Sequence, residues 1–158
     1  MDRIPVTPNG IKLYQQRLTQ LKEIERLRIA EAIKTARAFG DLKENSEYQT
    51  AINEQLFLEK KIEILEKKIR NAFVIDITKF INNNRVIFGS SVVLEDLYNF
   101  KKMKYKIVGT DEVNIVVGHI SINSPIAKSL INRYKNEIIH LHVPKGLAVF
   151  KISDIIYI

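Results

Sequence analysis

Residues 51–72 read AINEQLFLEKKIEILEKKIRNA, and this stretch decides the fold of the N-terminal half of the chain. Its stripe positions recur at alternating intervals of four and three residues, and all but one of them are apolar. A 4-3-4-3-4 register is typical of a helix that packs along a second helix. Neither Pro nor Gly interrupts residues 41–72, so the pattern predicts one long helix. The stripe consists of Ala51, Gln55, Leu58, Ile62, Leu65 and Ile69.

A second helical pattern precedes this stretch. Thr7 is a favourable N-cap residue, and Pro8 suits the first helical position because its missing N–H is not needed there. The apolar stripe that follows changes phase after Leu21, which alters the local winding without ending a helix. Gly40 is the first predicted stop. The stripe consists of Ile11, Tyr14, Leu18, Leu21, Ile24, Leu27, Ile29, Ala32, Ile33, Ala36 and Phe39.

The two predicted helices are separated by only a few residues, so they must be antiparallel neighbours. Roughly 30 residues per helix, at 1.5 Å per residue, give an arm on the order of 45 Å long. We expect residues 1–75 to form a coiled-coil arm that projects, with residues 40–45 as its acidic tip.

Residues 76–158 have a different composition, with β-branched and aromatic runs separated by turn residues. Ser124 and Pro125 predict an N-cap and the first residue of a short helix that ends near Asn132. The chain is therefore predicted to be α+β, with a long antiparallel helical hairpin followed by a small α+β domain. Strands are predicted at residues 73–77, 91–97, 105–108, 114–117, 138–143 and 147–158.

The composition excludes several classes of function. The 158 residues contain no Cys, which excludes a disulfide framework, a cysteine zinc site and a thiol nucleophile. His140 and His142 share one face of a predicted strand, but no third metal ligand accompanies them.

The net charge of +7 permits contact with nucleic acid without demonstrating it. With neither a long apolar run nor a signal-like N-terminus, we expect a soluble cytoplasmic protein that has no membrane partner.

Two acids lie in the predicted turn between the helices. Asp41 and Glu44 are three residues apart, so they fit a capping box at the start of the second helix. Alternatively, their carboxylates are presented to a partner, because such oxygens are hard ligands that suit Mg²⁺. Two acids alone would hold this ion weakly, so it would have to be shared with acids of another protein. The two interpretations are compatible, since a cap can also orient a ligand.

Residues 38–48, AFGDLKENSEY, resemble the tip signature G-D-L-x-E-N-[AS]-E-Y of the bacterial Gre transcript-cleavage factors, a family of transcription elongation factors. The G-D-L tip, Thr7 and the Asn123-Ser124-Pro125 segment are more similar to the GreA branch than to GreB. The resemblance is collinear over essentially the whole chain. It returns at residues 4–7, 74–76, 86–89, 107–112 and 120–127.

The resemblance implies an accessory factor rather than an enzyme. A Gre factor inserts its coiled-coil arm into the secondary channel of RNA polymerase when the RNA 3′ end has backtracked. The acids matching Asp41 and Glu44 then help to hold a Mg²⁺ ion jointly with the polymerase and to position the attacking water. The polymerase cleaves its own transcript, and no cofactor is bound stably by the factor alone.

The same resemblance implies further contacts. Arg37 and Lys43 are expected to contact phosphates of the extruded RNA 3′ end without reading bases. Asn123, Ser124 and Pro125 match the segment of the family's FKBP-like domain that docks on the rim of the polymerase channel. A plain helix cap is the structural alternative for these three residues. The factor is expected to act as a monomer.

Two other functions stay open. A regulator that binds the channel without stimulating cleavage would have the same shape, although the intact Asp41 and Glu44 argue against it. A chaperone-like protein built from a helical hairpin and an FKBP-like domain would bind unfolded chains and would not depend on Asp41. The tip motif has no role in that third account.

Overall fold

The computed structural model describes residues 2–40, 42–80 and 84–158. The chain divides into two compact units. The first consists mainly of Ile11–Ala72, and the second combines Arg3–Gly10 with Phe73–Ile158. Helices dominate the first unit and strands dominate the second, which confirms the predicted α+β class.

The first unit is a helical hairpin. Its leading arm runs through helix α1 (Pro8–Thr19), a π-helical segment (Gln20–Glu25) and helix α2 (Arg26–Arg37), and its returning arm is helix α3 (Ser46–Asn71). Ion pairs connect the arms in reverse order, since Lys22 pairs with Glu66, Arg26 with Glu59 and Arg28 with Glu54. This order confirms that the arms are antiparallel.

The predicted phase change in the leading arm is a π-helical turn. The backbone N–H of Arg26 donates to the carbonyl of Leu21, five residues earlier. Leu21 and Ile29 are buried and lie eight residues apart, which exceeds the roughly 7.2 residues of two α-helical turns. The π-helical turn contains more residues than an α-helical turn, so it accommodates this difference. The apolar stripe therefore continues to face α3.

Three predicted positions of the leading-arm stripe are wrong: Phe39 is exposed in the turn after α2, and two others are displaced by the π-helical turn. Ile24 and Leu27 are exposed, because the π-helical turn rotates this part of the helix away from the seam between the arms. Gln55 of α3 is exposed as well, as its polar amide permits.

An apolar seam joins the two arms. Leu21 and Ile29 from the leading arm pack with Leu58 and Ile62 from α3, and all four side chains are buried. Leu18, Ile33 and Leu65 extend the cluster. Fully burying one such side chain contributes about 1.5–3 kcal/mol, so the seam is the main stabilising contact of the hairpin. Ala51, at the tip-proximal end of α3, is also buried as the register predicts.

Ion pairs flank the seam. The Arg26 guanidinium donates two hydrogen bonds of 2.8 Å, one to each carboxylate oxygen of Glu59. These bonds lower the pKa of the Glu59 carboxyl. Both side chains are largely exposed to water, which limits the contribution of the pair to stability.

The second unit begins with a cap for α1. The Thr7 hydroxyl accepts a hydrogen bond from the Gly10 backbone N–H and donates one to the Glu112 carboxylate. The same carboxylate accepts hydrogen bonds from the backbone N–H groups of Thr7 (3.0 Å) and Gly109 (3.1 Å). A Cβ atom at Gly10 would lie only 2.4 Å from the Glu112 carboxyl carbon, so a larger residue there would displace this carboxylate. The predicted Thr7 N-cap is confirmed.

In the described part of the chain, the strands of the second unit form one two-stranded sheet and one larger, mostly antiparallel sheet. Strand β1 (Ile4–Val6) pairs with β2 (Ala72–Val74). The larger sheet has the order β5-β4-β3-β7-β6, in which only β4 and β5 run parallel. Its strands are β3 (Ser91–Asp96), β4 (Lys102–Val108), β5 (His119–Ser121), β6 (Ile138–Val143) and β7 (Gly146–Ile156).

Helix α4 (Pro125–Leu130) contributes to the core of this unit. Leu130 of α4 is fully buried together with Leu94, Ile107 and Ile152 of the sheet. The helix and the strands β3, β4, β6 and β7 occur close to their predicted positions. Among the described residues, no helix is both long and apolar enough to cross a membrane.

The predicted strand at residues 114–117 is wrong. Ile115–Val117 forms a 3-10 turn, and the strand begins only at His119. Asn114 and His119 exchange two backbone hydrogen bonds of 3.0 and 2.9 Å, which close the loop. Gly118 completes the turn with a φ of +79°. β-branched residues favour strands only through their surroundings, and here the loop closure outweighs that preference.

Replacing Leu58 with Ala should lower the free energy of unfolding of the hairpin by about 2–5 kcal/mol, because the side chain is 5% exposed in the seam. Leu56, 65% exposed on the same helix, provides the matched control, and its replacement with Ala should change stability by less than about 0.5 kcal/mol. Urea unfolding followed by far-UV circular dichroism measures both. Equal losses would contradict the assignment of Leu58 to the seam.

Replacing Arg26 with Gln should raise the pKa of Glu59, because the guanidinium that stabilises its charged form is lost. Since folding lowers this pKa, the stabilisation is present above the unfolded value of about 4.3 and disappears as the pH falls through the folded value. An NMR titration of the carboxyl carbon measures the shift. Glu66 is the internal control, because its pKa is lowered chiefly by Lys22 and should stay low. An unchanged Glu59 pKa would show that the pair does not form in solution.

Candidate functional site

The hairpin turn connects α2 to α3 over residues 38–45. After α2 ends at Arg37, the backbone N–H groups of Ala38 and Phe39 still donate to Thr35 and Ala36. Gly40 then takes a φ of +126°, which side-chain-bearing residues rarely adopt. The helix therefore ends three residues before the predicted glycine stop. Asp41, one of the two predicted acids, lies outside the described residues.

Asn45 is the residue that organises this turn. Its side-chain oxygen accepts a hydrogen bond of 3.1 Å from the backbone N–H of Tyr48, which caps α3. Its side-chain nitrogen donates a hydrogen bond of 2.6 Å to the carbonyl of Ala36 at the end of α2. One amide thus satisfies a donor at the start of one helix and an acceptor at the end of the other.

The predicted capping box is wrong. Helix α3 starts at Ser46 with Asn45 as its N-cap, so Glu44 precedes the cap and cannot occupy the third helical position. Asn45 is a strong capping residue in its own right. The sequence pattern favours Asp41 instead, because that acid directly follows the predicted helix stop at Gly40. Capping of α3 therefore does not explain why an acid stands at Glu44.

Further hydrogen bonds support the backbone around Glu44. The Gln49 side chain donates to the carbonyl of Leu42 at 3.0 Å, two residues before Glu44. The Gln49 backbone N–H donates to the carbonyl of Asn45 at 3.1 Å, one residue after it. Glu44 itself is exposed on this supported turn.

Glu44 lies beside an aromatic side chain. A shallow depression of about 400 Å³ is lined by Phe39, Glu44, Asn45, Ser46 and Glu47. The depression combines two carboxylates, one phenyl ring and the capping amide at the end of the hairpin. This combination offers metal-ligating oxygens and an apolar aromatic face within one small surface.

The predicted RNA-contacting cations belong to the same end of the hairpin. The guanidinium carbon of Arg37 lies 5.9 Å from the centre of the Tyr48 ring, a cation–π arrangement that connects the end of α2 with the first turn of α3. Arg37 and Lys43 are both exposed. A cation in the last turn of α2 also suits the negative end of its helix dipole.

A metal ion held jointly with another protein stays a prediction for the acids of this turn. Among the described residues, no group of three or more His, Cys, Asp or Glu side chains could hold a metal ion. Glu44 offers hard oxygen ligands and belongs to no such group of described residues. His140 and His142 are exposed on β6 and belong to no such group.

The predicted docking segment lies in the second unit. The Ser124 hydroxyl accepts a hydrogen bond of 3.2 Å from the Ala127 N–H, and Pro125 opens α4, so the helix-cap interpretation of these two residues is confirmed. Asn123 is exposed and donates from its side chain to the Thr110 hydroxyl at 3.3 Å. A docking role for the three residues is compatible with these contacts and stays a prediction.

Two family descriptions match this chain in succession. Residues 4–74 match "Transcription elongation factor, N-terminal". Residues 81–157 match "Transcription elongation factor, GreA/GreB, C-term". Together the matched ranges include the hairpin, its turn and the larger sheet.

Curated relatives align with the chain over its whole length. GreA of Psychrobacter cryohalolentis is 44% identical over 157 residues, which is 99% of each chain. GreA of Buchnera aphidicola subsp. Acyrthosiphon pisum is 46% identical over 155 residues, which is 98% of each chain. GreA of Legionella pneumophila is 42% identical over 158 residues, which is 100% of this chain and 99% of the relative. All three are named transcription elongation factors.

Replacing Asn45 with Ala should accelerate hydrogen exchange at the Tyr48 amide, because the cap that this amide donates to is lost. Loss of such a cap costs about 0.5–2 kcal/mol. Asn45→Asp is the matched variant, since its carboxylate can still accept from Tyr48 but cannot donate to Ala36. NMR-detected exchange should show the Tyr48 amide protected in the Asp variant and unprotected in the Ala variant. Equal exchange in the two variants would contradict the capping role.

Proposed function

This chain belongs to the GreA/GreB family of transcription elongation factors, and we propose that it stimulates RNA polymerase to cleave its own backtracked transcript. The proposal rests on one observation, which is that Glu44 is exposed and does not cap α3. This carboxylate is exposed at the end of the hairpin while a neighbouring amide, Asn45, caps the helix. An acid without a capping role at the tip of a long hairpin suits delivery to another protein's active site.

The proposed chemistry is hydrolysis of a phosphodiester in the polymerase. Asp41 and Glu44 would supply oxygen ligands to a Mg²⁺ ion that is held jointly with acids of the polymerase. When bound, such an ion activates water and stabilises the leaving oxygen. Glu44 would also orient the attacking water through its second carboxylate oxygen. Asn45 acts as a positioning residue, because its two hydrogen bonds hold the backbone next to Glu44.

The cations of the tip would hold the RNA. Arg37, aligned on the Tyr48 ring, and Lys43 would contact phosphates near the 3′ end of the extruded transcript. Contacts to phosphates position the strand without selecting its sequence, which suits a factor that acts on transcripts of any sequence.

The second unit would dock on the polymerase. Asn123, Ser124 and Pro125 form the start of α4, and the exposed Asn123 and Pro125 would contact the rim of the secondary channel. In this arrangement the chain acts as an accessory factor, and the polymerase supplies the remaining ligands and the reacting RNA.

The decisive experiment uses halted, backtracked elongation complexes that carry 3′-labelled RNA, with Mg²⁺ and without nucleotides. The wild-type protein should release short 3′ fragments rapidly. Asp41→Asn and Glu44→Gln should each slow this release by at least about 100-fold, because they remove a charged ligand and the group that orients the water. A binding assay with the polymerase should show unchanged affinity for both variants.

Glu63→Gln provides the matched control. It removes the same charge from an exposed side chain of α3 that pairs with Lys60 on its own helix. This variant should cleave at the wild-type rate. Binding of the wild-type protein without any cleavage would contradict the proposal and would identify a regulator that only occupies the channel. Binding to unfolded polypeptides instead of the polymerase would identify a chaperone.

A further inference from the structure

Phe39 is an aromatic side chain without a packing role in the hairpin. Its ring is 70% exposed at the end of the leading arm, one residue before Gly40. Its backbone is nevertheless held, because its N–H donates to the carbonyl of Ala36 at 3.1 Å. The ring is thus exposed, while the backbone that carries it is hydrogen-bonded.

The position of this ring distinguishes it from other exposed apolar side chains. Phe57 is equally exposed, at 71%, but lies in the middle of α3. Phe39 instead lines the same depression as Glu44 and the capping Asn45. A ligand that reaches Glu44 can therefore contact the Phe39 side chain.

We propose that Phe39 stacks on the unpaired base at the 3′ end of the backtracked RNA and thereby positions the strand for cleavage. This inference rests on the proposed function, because it assigns a substrate contact at the same tip. Stacking on an aromatic side chain tolerates every base, since each base has a π-face.

The charges around the ring favour a nucleobase as the occupant. Glu44 and Glu47 line the depression, so an acidic peptide would be repelled there. A base is uncharged and presents a flat face that matches a phenyl ring. The cations Arg37 and Lys43, which flank the ring in sequence, are suited to the phosphates on either side of that base.

Stacking would affect the cleavage step rather than the binding of the factor. A stacked terminal base restricts the last nucleotide, which orients the scissile phosphodiester toward the tip acids. The maximal cleavage rate should therefore depend on Phe39, whereas the factor concentration that gives half-maximal rate should not.

The test is a double-mutant cycle between Phe39 and the terminal base. Backtracked complexes are prepared with a normal or an abasic 3′-terminal nucleotide, and each rate is normalised to the rate without factor. Phe39→Ala and the abasic RNA should each lower the maximal rate by about tenfold, and together they should lower it no further. Effects that multiply independently would overturn the proposal.

Three further variants separate stacking from other contacts. Phe39→Trp should retain the rate, whereas Phe39→Leu should lose as much as Phe39→Ala, because leucine is apolar but has no π-face. Phe57→Ala is the matched control of equal exposure and should cleave like the wild type. If Phe39→Ala raises the half-maximal factor concentration and leaves the maximal rate unchanged, the ring contacts the polymerase and the proposal is overturned.

A second readout does not depend on cleavage. 2-Aminopurine is placed at the RNA 3′ end, and Ca²⁺ replaces Mg²⁺ to slow hydrolysis. Addition of the wild-type protein should quench the fluorescence, and Phe39→Ala should not. Quenching without stimulated cleavage would support stacking while contradicting the proposed function. Cleavage without a difference in quenching between these two proteins would contradict stacking alone.

Discussion

The apolar seam between the two helical arms is the contact on which the geometry of the tip depends. Leu58 and Ile62 of α3 meet Leu21 and Ile29 of the leading arm, whose stripe would drift out of phase in an uninterrupted α-helix. The π-helical turn over Gln20–Glu25 corrects this drift. Because the seam stays in register beyond this turn, the ends of α2 and α3 lie close enough for a single side chain to bridge them.

That bridge is a neutral amide, and its neutrality has a consequence for the acids. A carboxylate used as the N-cap would accept hydrogen bonds from the first turn of α3, and these bonds would occupy its lone pairs and stabilise its charge. Asn45 takes this role and also donates to Ala36, which no carboxylate could do. Glu44 is thereby left exposed on a turn whose neighbouring backbone groups are hydrogen-bonded. The cap is supplied by Asn45, and the adjacent Glu44 remains exposed.

The second unit uses a carboxylate in the opposite way. Glu112 accepts hydrogen bonds from the Thr7 backbone, the Thr7 hydroxyl and the Gly109 backbone, and two glycines leave it the room to do so. This acid is engaged in structure and secures the start of α1. Glu112 accepts hydrogen bonds from converging backbone donors, whereas Glu44 is exposed, and the spacing of these acids in the sequence does not reveal this difference.

Much of the fold could be read from the sequence, because helical periodicity, Pro8 after Thr7 and Ser124 before Pro125 are local signals with local physical causes. The acidic tip and its family resemblance were visible in the same way. The sequence could not place the cap at Asn45, the π-helical turn or the loop at residues 115–117. Each of these features depends on a contact outside its own local segment. The Asn45 amide requires the Ala36 carbonyl, and the π-helical turn requires the facing helix α3. The loop requires the pairing of Asn114 with His119. Local preference determined which elements form, and tertiary contacts decided which of two plausible residues caps a helix and which side chains reach the surface.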